Sequence, residues 1–326
     1  MPKTLIVAGI GGSNLGTKAI QEIIGSKIPV YYADTVDSDS INAIIKNAKG
    51  KITLNVISKS GTTTETIANF EAIVDKKKCE IVVTTDKNSK LWKFAEAHKY
   101  KKLEIPHDVG GRYSVFTPVG MYPLSLMGVN VGKLSLGILK ADDTEAKANA
   151  KILYDAYMNG RTINEIYFFD KSFESLGKWY RQLMAESLGK DGKGITPLIS
   201  IGTTDLHSSA QLLFGGPQNK IVTIVSVKQK SKIKVPKLGY GLVDGIEGKN
   251  LDEITNAIQN GFKNALIKAK IPFIQSTIEK NEESVAKFMQ EKMLEIVYLG
   301  KLLGVNPFDQ PEVEKYKEET RKILTR

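Results

Sequence analysis

Two short loops in the first quarter of the chain gather small and hydroxylated residues behind apolar runs. GIGGSNLG (9–16) follows a buried-strand candidate and leads into the helical TKAIQEIIG. Glycines at such a junction let the backbone close on a ligand, and the helix N-terminus behind it favours an anion. A dinucleotide fingerprint starting at Gly9 needs glycine at position 14, where Asn14 stands. A nucleotide phosphate loop needs Lys then Ser or Thr after Gly16, and the order is Thr17-Lys18. The loop therefore reads as an anion or polyol site, or as a tight turn without a ligand. SKSGTTTET (58–66) places Ser58, Ser60, Thr62, Thr63 and Thr64 around the start of the next helix, with Lys59 among them. One Ser or Thr suffices for an N-cap. Five hydroxyls beside unpaired N–H groups make a cup for one phosphate monoester.

Four further segments carry candidate functional groups. In VGGRYSVFTPVG (109–120), Gly110-Gly111 lets the chain turn sharply, and Arg112 can then enter a cleft to stabilise an anion or make a surface ion pair. In GKWYRQLMAESLG (177–189), Gln182 and Glu186 stand four apart on one helix face. Glu186 falls near the helix C-terminus, where the dipole disfavours its charge, which suits a base that abstracts a proton beside a carbonyl. His207 lies in GTTDLHSS, the turn after a strand, where open α/β sheets carry functional side chains. Lys301 falls late in an amphipathic helix that Asn306-Pro307 is expected to end. Taken singly, these last residues fit ordinary surface or structural roles equally well.

The elements that must position these groups alternate. TLIVAGI, PVYYAD, KITLNVISKS, EIVVTTD and KKLEIPHDVGG read as strands with helices between them. That spacing implies parallel strands and right-handed crossovers, hence an α/β protein of three-layer α/β/α sandwiches with mainly parallel sheets. The second half repeats the theme, with a strand at 219–228 and long helices at 251–269 and 279–303. LIVAGIGGSNLG (5–16) and LISIGTTDLHSS (198–209) share a layout that hints at two copies of one unit. A boundary is expected at 125–150, near the polar ADDTEAKANA. We divide the chain into domains 1–130, which holds both Gly- and Ser-rich loops, and 131–326, which holds the C-terminal helices.

Composition bounds the function. The chain has 326 residues, about two domains at roughly 150 residues each. Its one cysteine, Cys79, cannot form an intrachain disulfide, which points to a reduced, cytoplasmic setting. With three histidines besides (His98, His107, His207), no zinc cluster is expected. No apolar run is long enough for a membrane span, and no signal peptide is expected. The net charge of +10 fits a small anionic substrate or Lys-rich solvated faces. The basic VKQKSKIKVPK (227–237) lacks interleaved aromatics, so it reads as a solvated loop or strand edge and not a nucleic-acid platform.

Taken together and in order, GIGGSNLG, VISKSGTTTETI, GGRYSVFTPVG, QLMAESLGK, GTTDLHSSAQLLFGGP and LGKLLGVNPFDQP resemble the glucose-6-phosphate isomerase family, from about residue 5 to 320. The resemblance implies two sugar-isomerase-type domains and interconversion of glucose 6-phosphate and fructose 6-phosphate, in glycolysis and gluconeogenesis. It implies no metal and no cofactor. By the same resemblance, Ser58, Ser60 and Thr63, with Lys59 nearby, form the phosphate cup, and Gly12, Ser13 and Gly111 lie against the sugar. Glu186 is the base between carbons 1 and 2, Arg112 stabilises the enediolate, and Gln182 lines the sugar. His207 and Lys301 open the ring, and Glu65 stands near the histidine. The family's histidine arrives from a neighbouring subunit, which implies a homodimer with shared sites. The chain starts at the first strand, where the family usually carries an earlier segment, and this leaves the usual dimer contacts open. The small Ser60-Gly61 loop leaves room for epimers. The alternatives are a dual phosphoglucose/phosphomannose isomerase and a non-catalytic sugar-phosphate sensor of the same fold.

Overall fold

The computed structural model describes residues 2–325; Met1 and Arg326, the outer limits of the two expected domains, lie outside the described residues. In the first half, β1 (Thr4–Ala8), α1 (Leu15–Ile24), β2 (Val30–Ala33), α2 (Ser38–Asn47), β3 (Ile52–Ile57), α3 (Thr64–Lys76), β4 (Glu80–Thr85), α4 (Lys90–Ala97) and β5 (Lys101–Glu104) alternate as expected. They build a parallel five-stranded sheet in the order β2-β1-β3-β4-β5. β1 and β3 are buried at every residue, which is why TLIVA and ITLNVI are largely apolar runs without a solvent-facing side.

Three helices, α5 (Pro118–Leu126), α6 (Val131–Leu139) and α7 (Asp143–Met158), lead to the second half. The polar ADDTEAKANA (141–150) runs into α7. The Asp142 carboxylate accepts from the Thr144 and Glu145 N–H groups and so caps α7, and the residues after it are the first turns of that helix. The second half contains β6 (Ile163–Phe168), α8 (Glu174–Leu188), β7 (Thr196–Ile201), α9 (Ala210–Gly215), β8 (Lys220–Lys228), α10 (Leu251–Lys268), β9 (Phe273–Glu279), α11 (Glu282–Leu303) and α12 (Glu314–Leu324). Its four strands are also parallel, in the order β7-β6-β8-β9.

Three sequence expectations need correction. The helix expected over 279–303 starts at Glu282, because 273–279 is β9, an edge strand that buries only Ile274 and Ile278. The same helix is stopped by Gly304 in the left-handed region (φ 70°), ahead of Asn306-Pro307. The two-copy relation also has a different register. The sheet orders match when β6 is paired with β1, β7 with β2, β8 with β3 and β9 with β4. LISIGTTDLHSS, which contains β7, is therefore the counterpart of the β2 segment and not of GIGGSNLG.

The two sheets face each other across helices. α1 and α5 cover one face of the first sheet and meet α8 and α11 of the second, and one continuous apolar core runs through Leu5, Ile20, Leu124, Ile166, Trp179 and Ile296. α2, α3 and α4 cover the far face of the first sheet through Ile41, Phe70 and Leu91. α9 and α10 cover the far face of the second through Leu213, Phe262 and Leu266. Residues 229–250 form an irregular, mostly exposed stretch, as expected for the basic run there. Among the described residues, no helix is long and apolar enough to cross a membrane.

Candidate active site

The loops at the C-terminal ends of β1 and β3 carry the Gly- and Ser-rich motifs, and the β1 loop packs against α8 of the second half. The β1 loop forms a short 3-10 turn over Gly11–Ser13, against which a second 3-10 segment, Gly111–Phe116, packs. The packing requires glycine at 12. A Cβ there would lie 2.2 Å from the Gly111 carbonyl carbon and 2.5 Å from the Arg112 nitrogen. Gly12 is thus spent on close backbone approach, and that approach sets the position of Arg112.

Arg112 is no surface arginine: its side chain is 1% exposed. Its guanidinium has five N–H groups, and each has an acceptor. Nε donates to Ser187 Oγ at 2.7 Å. Nη1 donates to Gln310 Oε1 at 2.6 Å and to Glu186 Oε2 at 3.3 Å. Nη2 donates to the carbonyls of Pro307 and Asp309 at 2.7 and 2.9 Å. The Trp179 indole on α8 donates to the Arg112 carbonyl at 3.2 Å, fixing the backbone as well.

Gln182 and Glu186 share a face of α8 as their spacing requires. Gln182 Nε2 donates to Glu186 Oε1 at 2.9 Å, while Gln182 Oε1 is buried without a partner. Each carboxylate oxygen of Glu186 therefore has one donor, and the side chain stays 31% exposed. Behind it, Lys190 reaches Asp309 at 3.0 Å and the Ser187 carbonyl at 2.9 Å. That ammonium holds the Asp309 carboxyl below the usual carboxylate range.

The expected phosphate cup forms a compact turn. Ser58 Oγ accepts from the Gly61 N–H at 3.1 Å and bonds the Thr63 hydroxyl at 2.8 Å, while Ser60 Oγ accepts from the Thr62 N–H at 3.3 Å. Gly61 takes φ +68°, which glycine adopts without strain. Thr63 is the N-cap residue of α3 yet makes no side-chain cap bond, leaving the first-turn N–H groups to other acceptors. Lys59 does more than add charge to the cup. Its ammonium donates to the His107 and Val109 carbonyls at 2.6 and 3.0 Å, tying the cup to the loop that leads into Gly110 and Arg112. A groove of about 490 Å³ lies between this turn, α3 and α4, with Ile67, Phe70, Leu91 and Phe94 as its apolar lining. Its polar lining is Thr62, Thr64, Glu71 and Lys90.

Gly12, Ser13, Gly111, Arg112, Gln182 and Glu186 thus come together, and Lys59 links Ser58, Ser60 and Thr63 to the Arg112 loop. His207 and Lys301 do not join them by any hydrogen bond. His207 is exposed in the turn after β7, and Lys301 is exposed on the last turn of α11. Glu65, in the first turn of α3, is half-buried. Sequence reasoning missed the ring that holds Arg112: Ser187, Gln310 and the Pro307 and Asp309 carbonyls. Ser187 and Gln310 were in view in QLMAESLGK and NPFDQP, but nothing local shows that they converge on an arginine 75 and 198 positions away. Among the described residues, no group of three or more His, Cys, Asp or Glu side chains is placed to hold a metal ion.

Known proteins resemble this chain in sequence and fold. A probable glucose-6-phosphate isomerase of Methanococcus maripaludis is 36% identical over 99% of this chain and 79% of its own length. A hypothetical protein of Thermus thermophilus superposes with a TM-score of 0.90 at 29% identity, covering 99% of this chain and 84% of that one. A glucose-6-phosphate isomerase from Chlamydia trachomatis shares the fold with a TM-score of 0.82 at 18% identity, over 99% of this chain and 70% of that one. The family model described as phosphoglucose isomerase matches residues 2–223, a stretch that holds the cup, Arg112, Gln182, Glu186 and His207. With most of its length under that model, the chain belongs to the phosphoglucose isomerase family.

Proposed function

We propose that this chain is an aldose–ketose isomerase that interconverts glucose 6-phosphate and fructose 6-phosphate, with Glu186 as its base. The observation that carries the assignment is the buried Arg112 guanidinium with Nη1 on Glu186 Oε2 at 3.3 Å and Gln182 on Oε1. A carboxylate held open to solvent beside a fixed cation suits proton transfer through an anionic intermediate. Glu186 takes the proton from carbon 2 of the open-chain aldose. The enediolate oxygen that forms meets the Nη1 edge of Arg112, the hydroxyl proton passes from oxygen 2 to oxygen 1, and Glu186 returns the carbon-bound proton to carbon 1. The Ser58, Ser60 and Thr63 hydroxyls and the start of α3 receive the phosphate, with Lys59 beside them. Gln182, Gly12, Ser13 and Gly111 line the sugar.

Ring opening falls to Lys301 and to a histidine. His207 is exposed on its own turn, so we read it as serving the site of a second copy of the chain in a homodimer. The half-buried thiol of Cys79 fits a reducing, cytoplasmic setting. We also read residues 1–130 and 131–326 as separate units. In support, α6 and α7, just past residue 130, pack on α11 of the second.

The test is conversion of fructose 6-phosphate to glucose 6-phosphate by the purified chain in excess chelator, with mannose 6-phosphate as a second substrate. Turnover of the glucose and fructose esters supports the reading. Comparable turnover of mannose 6-phosphate would make it a dual isomerase. Binding without turnover would make it a sensor.

A further inference from the structure

Arg112 can steady an enediolate only if its plane is fixed, and the structure shows what fixes it. Three of its five N–H groups go to Ser187 Oγ and the Pro307 and Asp309 carbonyls, leaving only the Nη1 edge toward Glu186 and Gln310. Ser187 lies on the last turn of α8 beside Glu186 and is fully buried. Its oxygen accepts from Nε, so its own hydrogen is free to donate. The Tyr113 hydroxyl is 2.9 Å away and itself donates to the Pro307 carbonyl at 3.2 Å. Burial pushes the Tyr113 hydroxyl above its ordinary range, which keeps that hydrogen in place. The bonds therefore run in one direction, from Arg112 Nε to Ser187, to Tyr113 and to Pro307. Pro307 is also the acceptor for Nη2, so the ring closes on the arginine.

We propose that Ser187, with Tyr113, is a positioning residue of the isomerase reaction: it holds the Arg112 plane so that the Nη1 edge meets the developing enediolate. This rests on the isomerase reading above. Bound substrate has no unused N–H to claim on Arg112, and the longest contact, the one to Glu186, is the one that yields. The enediolate takes that N–H while Glu186 handles the proton. Ser187 thus acts on the transition state more than on the bound sugar.

The experiment compares wild type, Ser187→Ala, Ser187→Thr and Tyr113→Phe in the full chain. Turnover of fructose 6-phosphate is measured together with inhibition by a phosphorylated hydroxamic acid that mimics the enediolate. Ser187→Ala is expected to lower kcat about 10- to 100-fold, with KM within about threefold, because an uncompensated buried donor lets the guanidinium tilt. The inhibition constant of the hydroxamate should rise by the same factor, and Ser187→Thr, which keeps the hydroxyl, should recover most of kcat. Unchanged kcat, or a rise in KM with no change in hydroxamate binding, overturns the proposal. If Ser187→Ala fails to fold, Tyr113→Phe decides. A kcat loss of about two- to fivefold with a parallel change in hydroxamate binding supports the proposal, and wild-type values on both overturn it. A wild-type chain that does not turn over fructose 6-phosphate refutes the isomerase reading itself, which the variants do not test.

Discussion

Gly12→Ala puts the smallest possible side chain at the backbone contact between the β1 loop and the Arg112 segment. The added Cβ would stand 2.2 Å from the Gly111 carbonyl carbon, 2.4 Å from its oxygen and 2.5 Å from the Arg112 nitrogen. Ordinary contact begins near 3.4 Å, so the two loops must separate by about 1 Å. All three obstructing atoms are backbone, and no side chain can swing aside. The Arg112 Nη1 contact with Glu186 is already at 3.3 Å, and a further ~1 Å takes it outside hydrogen-bonding range. A misplacement of that size at a catalytic group costs about 100-fold in rate. Overpacking of this kind costs about 1–3 kcal/mol in stability. The expected result is a folded protein with a lowered urea midpoint and kcat for fructose 6-phosphate reduced about 100-fold. The assay is coupled turnover alongside urea unfolding. A Gly12→Ala protein with kcat within threefold of wild type would refute the argument that loop contact places the arginine.

Other outcomes follow from the same geometry. Glu186→Gln keeps the side-chain shape but removes the base, so isomerisation should fall by about 10²–10⁴-fold, with sugar-phosphate affinity by calorimetry little changed; near-wild-type turnover would rule Glu186 out as the base. His207→Ala should slow turnover of the closed-ring sugar far more than that of an open-chain analogue, and equal losses would remove the ring-opening role. Asp170, 7% exposed, pairs with Lys280 where β6 gives way to α8. Burial opposes its charge, but Lys280, Ser172 and Gln229 outweigh that and hold its carboxyl below the usual range. The unfolded chain therefore binds the proton first as pH falls, so the stabilisation is full above the ordinary Asp range and is lost as pH drops through the lowered folded value. Asp170→Asn should lower stability by about 1–3 kcal/mol at pH 7, with the gap closing in acid; a gap independent of pH in urea titrations would show that the charge is not what matters.

Local spacing made much of this molecule readable. β1 and β3 announce themselves because strands buried on both faces must be largely apolar. Gln182 and Glu186 were readable as a pair because a helix brings i and i+4 together whatever surrounds it. β9 was not, because an edge strand buries two isoleucines and leaves the rest of its side chains little constrained. The repeat was misaligned for a related reason: GIGGSNLG and GTTDLHSS look alike as loops, whereas correspondence between sheets is set by strand order, which no loop encodes. The arginine shows the same divide within the site. Gly110-Gly111-Arg112 signals a turn followed by a cation, and that much is local. Whether the cation is a surface charge or a buried, fully engaged one depends on Ser187, Pro307, Asp309 and Gln310, contributed by the end of α8 and the segment after α11. Burying a guanidinium is costly unless every N–H finds an acceptor, so those distant residues are required as strictly as the arginine. The sequence names the reacting groups, and long-range acceptor geometry decides what each of them can do.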